Sequence, residues 1–394
     1  MPRRTKIIIG VGVVLLLIAL GVFLYFYFRT PAAVTPTPGE FPSTEDIGGT
    51  TTETLPTPIG EGGKGPRLVK LAEGPVAGAI TGKSGGALVV RFIETSNGNA
   101  SEVNVATLEK KRLTITTIPK VQEALWNKAG SAVIARYLKE DGETIESFAA
   151  TIRPKSGTTE GELVGSFLPA NITAVSASPS GKDFAYIRKE GNRATLITAP
   201  FSGSPKTEVF RSPILEWTPL WFAENTIALL SKPSALADGV LLFINRATGA
   251  SETALSGITG LTALPSPNGA LILASESGET DFSTRVIERK SGRSTEVSPA
   301  TLPEKCVWGK NNTTLFCGAP QSIPAASYPD SWYQGAVSFA DDFWEIDAPT
   351  GISHLLLTSP TPMDLTLPLL DGDETHLIFI NKKDGSLWSL RLEE

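Results

Sequence analysis

The stretch TGKSGGALVV, residues 81–90, admits three readings with very different consequences. Gly82-Lys83-Ser84 matches the tail of a phosphate-cradling loop, while Gly82, Ser84 and Gly86 have the spacing of a hydrolase nucleophile elbow. The third reading is a tight turn between two β-strands. The phosphate loop fails on spacing, because Gly78 lies one residue too close to Gly82-Lys83, and an apolar strand pattern, ALVVRF, stands where a helix is needed. The rest of the chain decides between the other two.

A hydrophobic stretch, a polar tight turn ending in Gly or Asn, and a β-rich apolar run recur along the sequence. ALWNKAGSAVIARY turns at Gly130, VSASPSGKDFAYI at Gly181, PLWFAENTIALL at Asn225, ALPSPNGALILA at Gly269 and CVWGKNNTTLFC at Asn312. A looser copy, LPLLDGDETHLIFI, turns near Asp373 and Glu374. The spacings from Gly130 to Glu374 are 51, 44, 44, 43 and 62, a period near 44 stretched by two insertions. Gly86 lies 44 residues before Gly130, which makes GKSGG the counterpart of WNKAG. Residues 82–86 are therefore expected to form a hairpin turn, where Gly and Ser serve backbone geometry and no nucleophile is needed.

Each repeat carries four strand patterns, seen most clearly in ITAVSAS, DFAYIRK, ATLITAP and KTEVFR, which are separated by PSGK, EGNR and FSGSP. Four antiparallel strands every ~40–50 residues are the mark of propeller blades. Alternate side chains such as Phe184, Tyr186 and Leu196 should pack blade against blade. The last repeat runs out after GSLWSLRLEE, its third strand. RLVKLAEG, residues 67–74, is similar to the outer strands RLTITTIP and KTEVFRSP and is expected to supply the missing fourth by pairing with the C-terminal strand. Such closure leaves no free sheet edge. The expected fold is all-β: a seven-bladed propeller of four-stranded antiparallel blades over residues 67–394.

The turn of these repeats resembles that of the TolB-like propellers built from WD40-like repeats, Trp-Ser-Pro-Asp-Gly followed by an apolar strand. SPSGKDFAYI (residues 178–187) and SPNGALILA (residues 266–274) resemble it most, and Trp126, Trp221 and Trp308 hold the equivalent aromatic position in other blades. The resemblance implies the propeller fold and extends over most of residues 67–394. Function has to be argued from the site.

Before the repeats come two further segments. Residues 1–29 combine a basic head (Arg3, Arg4, Lys6) with an uninterrupted apolar run from Ile7 to Phe28. Twenty-two residues at ~1.5 Å each give ~33 Å, enough to cross a hydrocarbon core of ~30 Å. Tyr25 and Tyr27 suit the interface, and no Lys or Arg follows Arg29 until Lys64, which places the N-terminus in the cytoplasm and the rest outside. A cleaved signal peptide should have a shorter apolar region and an Ala-x-Ala-like site, so an uncleaved single-pass anchor in the cytoplasmic membrane is expected. Residues 30–66, rich in Pro, Thr, Gly and Glu, read as a tether reaching between about 35 Å as a coil and about 115 Å when extended.

Composition bounds the partners. With 41% hydrophobic and 19% charged residues over 394, the chain can build a large core. Its net charge of −6, with no basic cluster beyond the N-terminus, argues against nucleic acid. A protein or a cell-envelope polymer is the expected partner of an extracytoplasmic propeller.

Cys306 and Cys317, the sole cysteines, flank the Asn311-Asn312 turn symmetrically. Counting from a two-residue turn makes them a hydrogen-bonded pair with Cα atoms ~5.5 Å apart, within range of a disulfide worth about 2–3 kcal/mol. The longer insertion follows Cys317 and gathers Tyr328, Trp332, Tyr333, Phe339, Phe343 and Trp344 near Asp330, Asp341, Asp342 and Asp347. Loops on rigid scaffolds commonly carry binding function, so Tyr328, Asp330, Trp332, Tyr333, Asp341 and Asp342 are the candidate site. Aromatic rings beside carboxylates could stack on sugars or peptides or hold Ca²⁺. The plainer reading is that the rings fold the insertion onto its own blade. An enzyme acting on glycans or peptides would use Asp330, Asp341 or Asp342 as acid and base. His354 and His376 both lie in strand patterns without a nucleophile at a suitable spacing, and DGDET at residues 371–375 lacks the Glu that a calcium loop requires at its twelfth position. No catalytic residue, metal site or cofactor is assigned.

Overall fold

A computed structural model describes residues 66–393; the expected membrane span and all but the last residue of the tether lie outside them. Among the described residues no helix is long and apolar enough to cross a membrane. Seven four-stranded sheets follow one another, each a meander in which successive strands pair. The first strands are Val76–Ser84, Val121–Trp126, Ile172–Ala177, Trp217–Ala223, Thr262–Pro265, Cys306–Trp308 and Leu365–Leu370. Neighbouring first strands approach each other, which places them innermost around the axis. The architecture is the seven-bladed propeller that the spacing implies.

The opening stretch is a hairpin. Val76–Ser84 pairs with Ala87–Glu94 through Ser84 and Ala87, leaving a two-residue loop of Gly85 and Gly86 at φ of 57° and 85°. Both residues sit in the left-handed region that such a loop demands, which only glycine enters freely. The turn is shorter than residues 82–86: Gly82 belongs to the strand and pairs with Val89. Later turns reuse the conformation at Gly130, Gly181, Gly269, Asn312 and Glu374, all at positive φ. At Gly181 a second constraint applies, since a Cβ there would stand 2.3 Å from the Lys128 Cβ of the preceding blade.

Strand alternation then builds the core. Phe184 and Tyr186 pack with Ile134 and Ala149 of blade two, while Ala185, Ile187 and Leu196 pack with Trp217, Trp221 and Ile227 of blade four. Seven apolar clusters occupy the seven junctions between blades in this way. Two tryptophans repeat one further contact. Trp126 Nε1 donates to Gly78 O at 3.2 Å and Trp308 Nε1 to Leu264 O at 3.1 Å, each reaching the innermost strand of the preceding blade.

The ring closes as the sequence implies. Leu68–Ala72 joins the C-terminal strand Leu387–Arg391 as the fourth strand of blade seven, pairing Leu68 with Leu390 and Val69 with Ser389. Arg67 locks the join by donating to the carbonyls of Arg391, Leu356 and Leu392 at 3.0, 2.7 and 3.0 Å. Leu71, fully buried, inserts between blades seven and one among Val90, Phe92 and Ile378.

Cys306 and Cys317 form a disulfide, but with Cα atoms 4.1 Å apart instead of the ~5.5 Å counted from a two-residue turn. Gly309 N–H donates to Thr314 O at 2.8 Å, so the loop spans four residues, 310–313. That moves the ladder on by one pair and puts the cysteines in a close, non-hydrogen-bonded position facing blade five.

Candidate functional site

In each meander the loops joining second to third strands emerge on the same face as the connections between blades. The blade-six insertion, residues 321–340, lies on this face between Thr314–Pro320 and Asp341–Asp347. Asp341, Asp342, Phe343, Trp344 and Asp347 belong to the third strand and not to the loop. The insertion leans on its neighbours through named bonds. Ala326 N donates to Thr280 O of blade five at 2.9 Å, Asp330 Oδ2 accepts from Ala235 N of blade four at 2.6 Å, and Trp332 O accepts from Lys382 Nζ of blade seven at 2.7 Å.

The six candidate residues divide. Tyr328 and Trp332 are buried with Phe282 of blade five, Leu302 and Phe339 in a separate aromatic cluster, so the rings do fold the insertion down, but against the neighbouring blade and not only its own. Stacked and edge contacts of 5.0–6.3 Å link Tyr328, Phe282, Phe339 and Trp332. Asp341 is fully buried. Asp330 and Asp342 are half-buried and already engaged: Asp342 Oδ1 accepts from Gln321 Nε2 and Ser359 N, both at 2.9 Å. Tyr333 alone is exposed, on the one-turn helix Asp330–Tyr333, and its hydroxyl donates to Glu304. Burial pushes the Glu304 carboxyl above its ordinary value, partly offset by that bond.

Beneath the insertion lies a constellation that the sequence pattern does not announce. Lys305, at 0% exposure, places its ammonium 2.5 Å from Asp364 Oδ1 and 2.7 Å from Asp341 Oδ2, both carboxylates likewise at 0%. Its Nζ also donates to Leu365 O at 3.0 Å and stands 5.2 Å from the ring centres of Trp332 and of Phe339. Asp364 accepts from Trp332 Nε1, Ser338 Oγ and Phe339 N at 3.0–3.1 Å, which holds the insertion down. Asp341 Oδ2 accepts Leu365 N at 2.7 Å, whereas its Oδ1 is buried without a hydrogen-bond partner. Lys305 and Asp341 begin or precede strands of blade six, and Asp364 precedes the first strand of blade seven, so the group ties two blades and the insertion together.

The two acids titrate in opposite senses. Burial pushes the Asp341 carboxyl up to about 6, against the pull of Lys305. Burial also raises Asp364, but the Lys305 charge and the bonds from Lys305, Phe339 and Trp332 outweigh it and hold that carboxyl below its ordinary value. The folded chain thus keeps a proton on Asp341 that the unfolded chain has released near 3.8. Stability should therefore fall as pH rises from about 4 to about 6. Denaturant midpoints measured across that window should lose this component in Asp341→Asn; an unaltered slope contradicts the assignment.

The opposite face is closed by polar contacts between successive turns. Ser180 Oγ donates to Glu224 at 3.0 Å, Asn268 N to Asn312 Oδ1 at 2.9 Å, Lys310 N to Glu374 at 2.6 Å, and Lys83 pairs with Asp373 at 2.7 Å. An axial cavity of about 290 Å³ is lined mainly by apolar side chains of blades one, two and seven, including Ile80, Leu125 and Leu369. Among the described residues no three His, Cys, Asp or Glu side chains gather as a metal set.

No family model matches this sequence, and no curated protein matches it in sequence. Among solved structures the chain is similar to the hydrazine synthase of Kuenenia stuttgartiensis, with a TM-score of 0.54 at 11% identity over 82% of this chain and 97% of that one. It is also similar to an oligogalacturonate lyase from Vibrio parahaemolyticus, with a TM-score of 0.51 at 10% identity over 83% and 94%. TolB from Acinetobacter baumannii aligns with a TM-score of 0.40 at 11% identity over 80% and 79%. Identities this low speak to fold and not to activity. By its blades, and in keeping with the likeness to the hydrazine synthase and the lyase, the described chain is a seven-bladed β-propeller.

Proposed function

We propose that this chain is a membrane-anchored, extracytoplasmic binding module whose propeller docks a protein through the face that carries the insertion. The apolar run Ile7 to Phe28 and the tether behind it support anchoring with the propeller outside. One observation carries the docking face. Of the large apolar side chains exposed among the described residues, Phe167, Ile214, Leu215, Leu236 and Tyr333 all lie on it, whereas Ile352 and Leu355 are on the outer strand of blade six and Leu367 is on an inner strand. Leu236 is 93% exposed, in a loop fixed to the insertion by the Asp330 bond. Apolar groups held out on ordered loops of one face suit an apolar protein surface.

The same observation favours protein over envelope polymer, since most of the insertion's rings are spent internally and cannot stack on sugars. The enzymatic alternative gains nothing from Asp330, Asp341 and Asp342, each of which is buried or held in a structural bond. A photo-reactive residue introduced at Leu236 of the full-length chain should capture a discrete protein in the native cell, while one at Ile352 should not. Capture from Ile352 with none from Leu236 would reject this face.

A further inference from the structure

We propose that Lys305 and Asp364 condense to an intramolecular isopeptide bond, with Asp341 as the acid–base residue, stapling blade six to blade seven beneath the insertion. An amine and a carboxyl held together from opposite sides of a junction gain the effective concentration that an uncatalysed condensation lacks. Here the Nζ lies 2.5 Å from Asp364 Oδ1 and touches Asp341 Oδ2 at 2.7 Å, with all three side chains wholly out of water. The rings of Trp332 and Phe339 wall the site. Two opposite charges in so dry a place are costly to keep there, and the amide that replaces them carries none.

The polar contacts assign the roles. Asp364 Oδ2 accepts from Ser338 Oγ at 3.0 Å and Phe339 N at 3.1 Å, with Trp332 Nε1 shared at 3.0 Å between both oxygens, and the two donors held by Oδ2 alone stabilise charge developing on it when its carbon is attacked. Oδ1, on the lysine side, is the oxygen that leaves. Asp341 holds the ammonium with Oδ2 and has Oδ1 buried and unpartnered, available to carry a proton. The raised pKa of Asp341 agrees with a carboxyl that is neutral during the reaction.

The step balances within the chain. A proton passes from the Lys305 ammonium, through Asp341, to Asp364 Oδ1; the freed amine lone pair attacks Asp364 Cγ and forms the Nζ–Cγ bond. A second amine proton follows by the same route, and the Cγ–Oδ1 bond breaks with release of water. One proton stays on the amide nitrogen, the two opposite charges disappear, and nothing is oxidised or reduced. The product is neutral in a dry site, which opposes hydrolysis.

The full-length protein, reduced and denatured, should weigh less than its sequence by one water molecule. Proteolysis should yield a branched peptide joining the Lys305 segment to the Asp364 segment. Asp341→Ala should restore the mass of the sequence, as should Lys305→Arg, which keeps the cation but offers no amine to condense. The unaltered protein needs no variant to decide the matter. A wild-type mass equal to that of the sequence overturns the proposal. So does a water loss without a branched peptide, as a cyclic imide would give, or a branch from Lys305 to Asp341.

Discussion

Replacing Lys305 by Met should destabilise the propeller by about 3–5 kcal/mol, the usual cost of removing one partner from a fully buried ion pair. The size of the effect comes from what remains. Asp341 and Asp364 would share a site closed to water with no cation between them, and one must take up a proton or the site must open. Both acids also cap backbone N–H groups, of Leu365 and Phe339, so the damage should spread to the inner strand of blade seven and to the insertion. Lys305→Met/Asp341→Asn should be milder than Lys305→Met alone, because Asn keeps an acceptor for Leu365 N–H and removes one charge. Equal losses in the single and double variants, read from denaturant midpoints, would show that repulsion between the acids is not the cause. The substitution also removes the amide inferred above.

Leu71→Asp should be at least as damaging. Leu71→Ala is expected to cost about 2–5 kcal/mol as a cavity at a blade junction. The carboxylate adds an unpaired charge among Val90, Phe92 and Ile378. This strand is held by a register that joins the two ends of the folded region, so its loss reopens the ring between blades seven and one. Glu73→Ala, two residues on, removes only an exposed pair with Lys70 and should change stability by under about 0.5 kcal/mol. Similar midpoints for the Leu71 and Glu73 variants would mean that the strand is not part of the core.

The blades were legible because the physics that makes them is local. A turn that needs positive φ selects Gly or Asn, an apolar run follows, and the stride repeats; Gly130, Gly181, Gly269 and Asn312 all adopt the conformation that this pattern requires. The closing strand was legible by its likeness to other outer strands. The cysteine pairing was legible too, but not its phase, since a four-residue loop at 310–313 and a two-residue loop at Asn311-Asn312 share one centre. The candidate site was legible only as a place. Aromatic density in the insertion signalled that something is buried there, and Tyr328, Trp332 and Phe339 are what it buries.

Lys305 and Asp364 were missed for a physical reason. LPEKC and TPMDL are aperiodic connections in which a single charged residue reads as solvated, and the two side chains meet across 59 positions of sequence. Only the ring brings them together. Exposure on one face is likewise a property of the assembled loops: Leu215 and Leu236 look like any aliphatic residue near a strand end until the direction of every strand is known.

Closure of blade seven by Leu68–Ala72 is the point on which the ring, the docking face and the staple all rest. Hydrogen exchange on the full-length protein tests it directly, by comparing the amides of Leu68–Ala72 with those of Leu387–Arg391. Both segments should be protected together and open only with the whole propeller. Rapid exchange of Leu68–Ala72 beside a protected Leu387–Arg391 would contradict it.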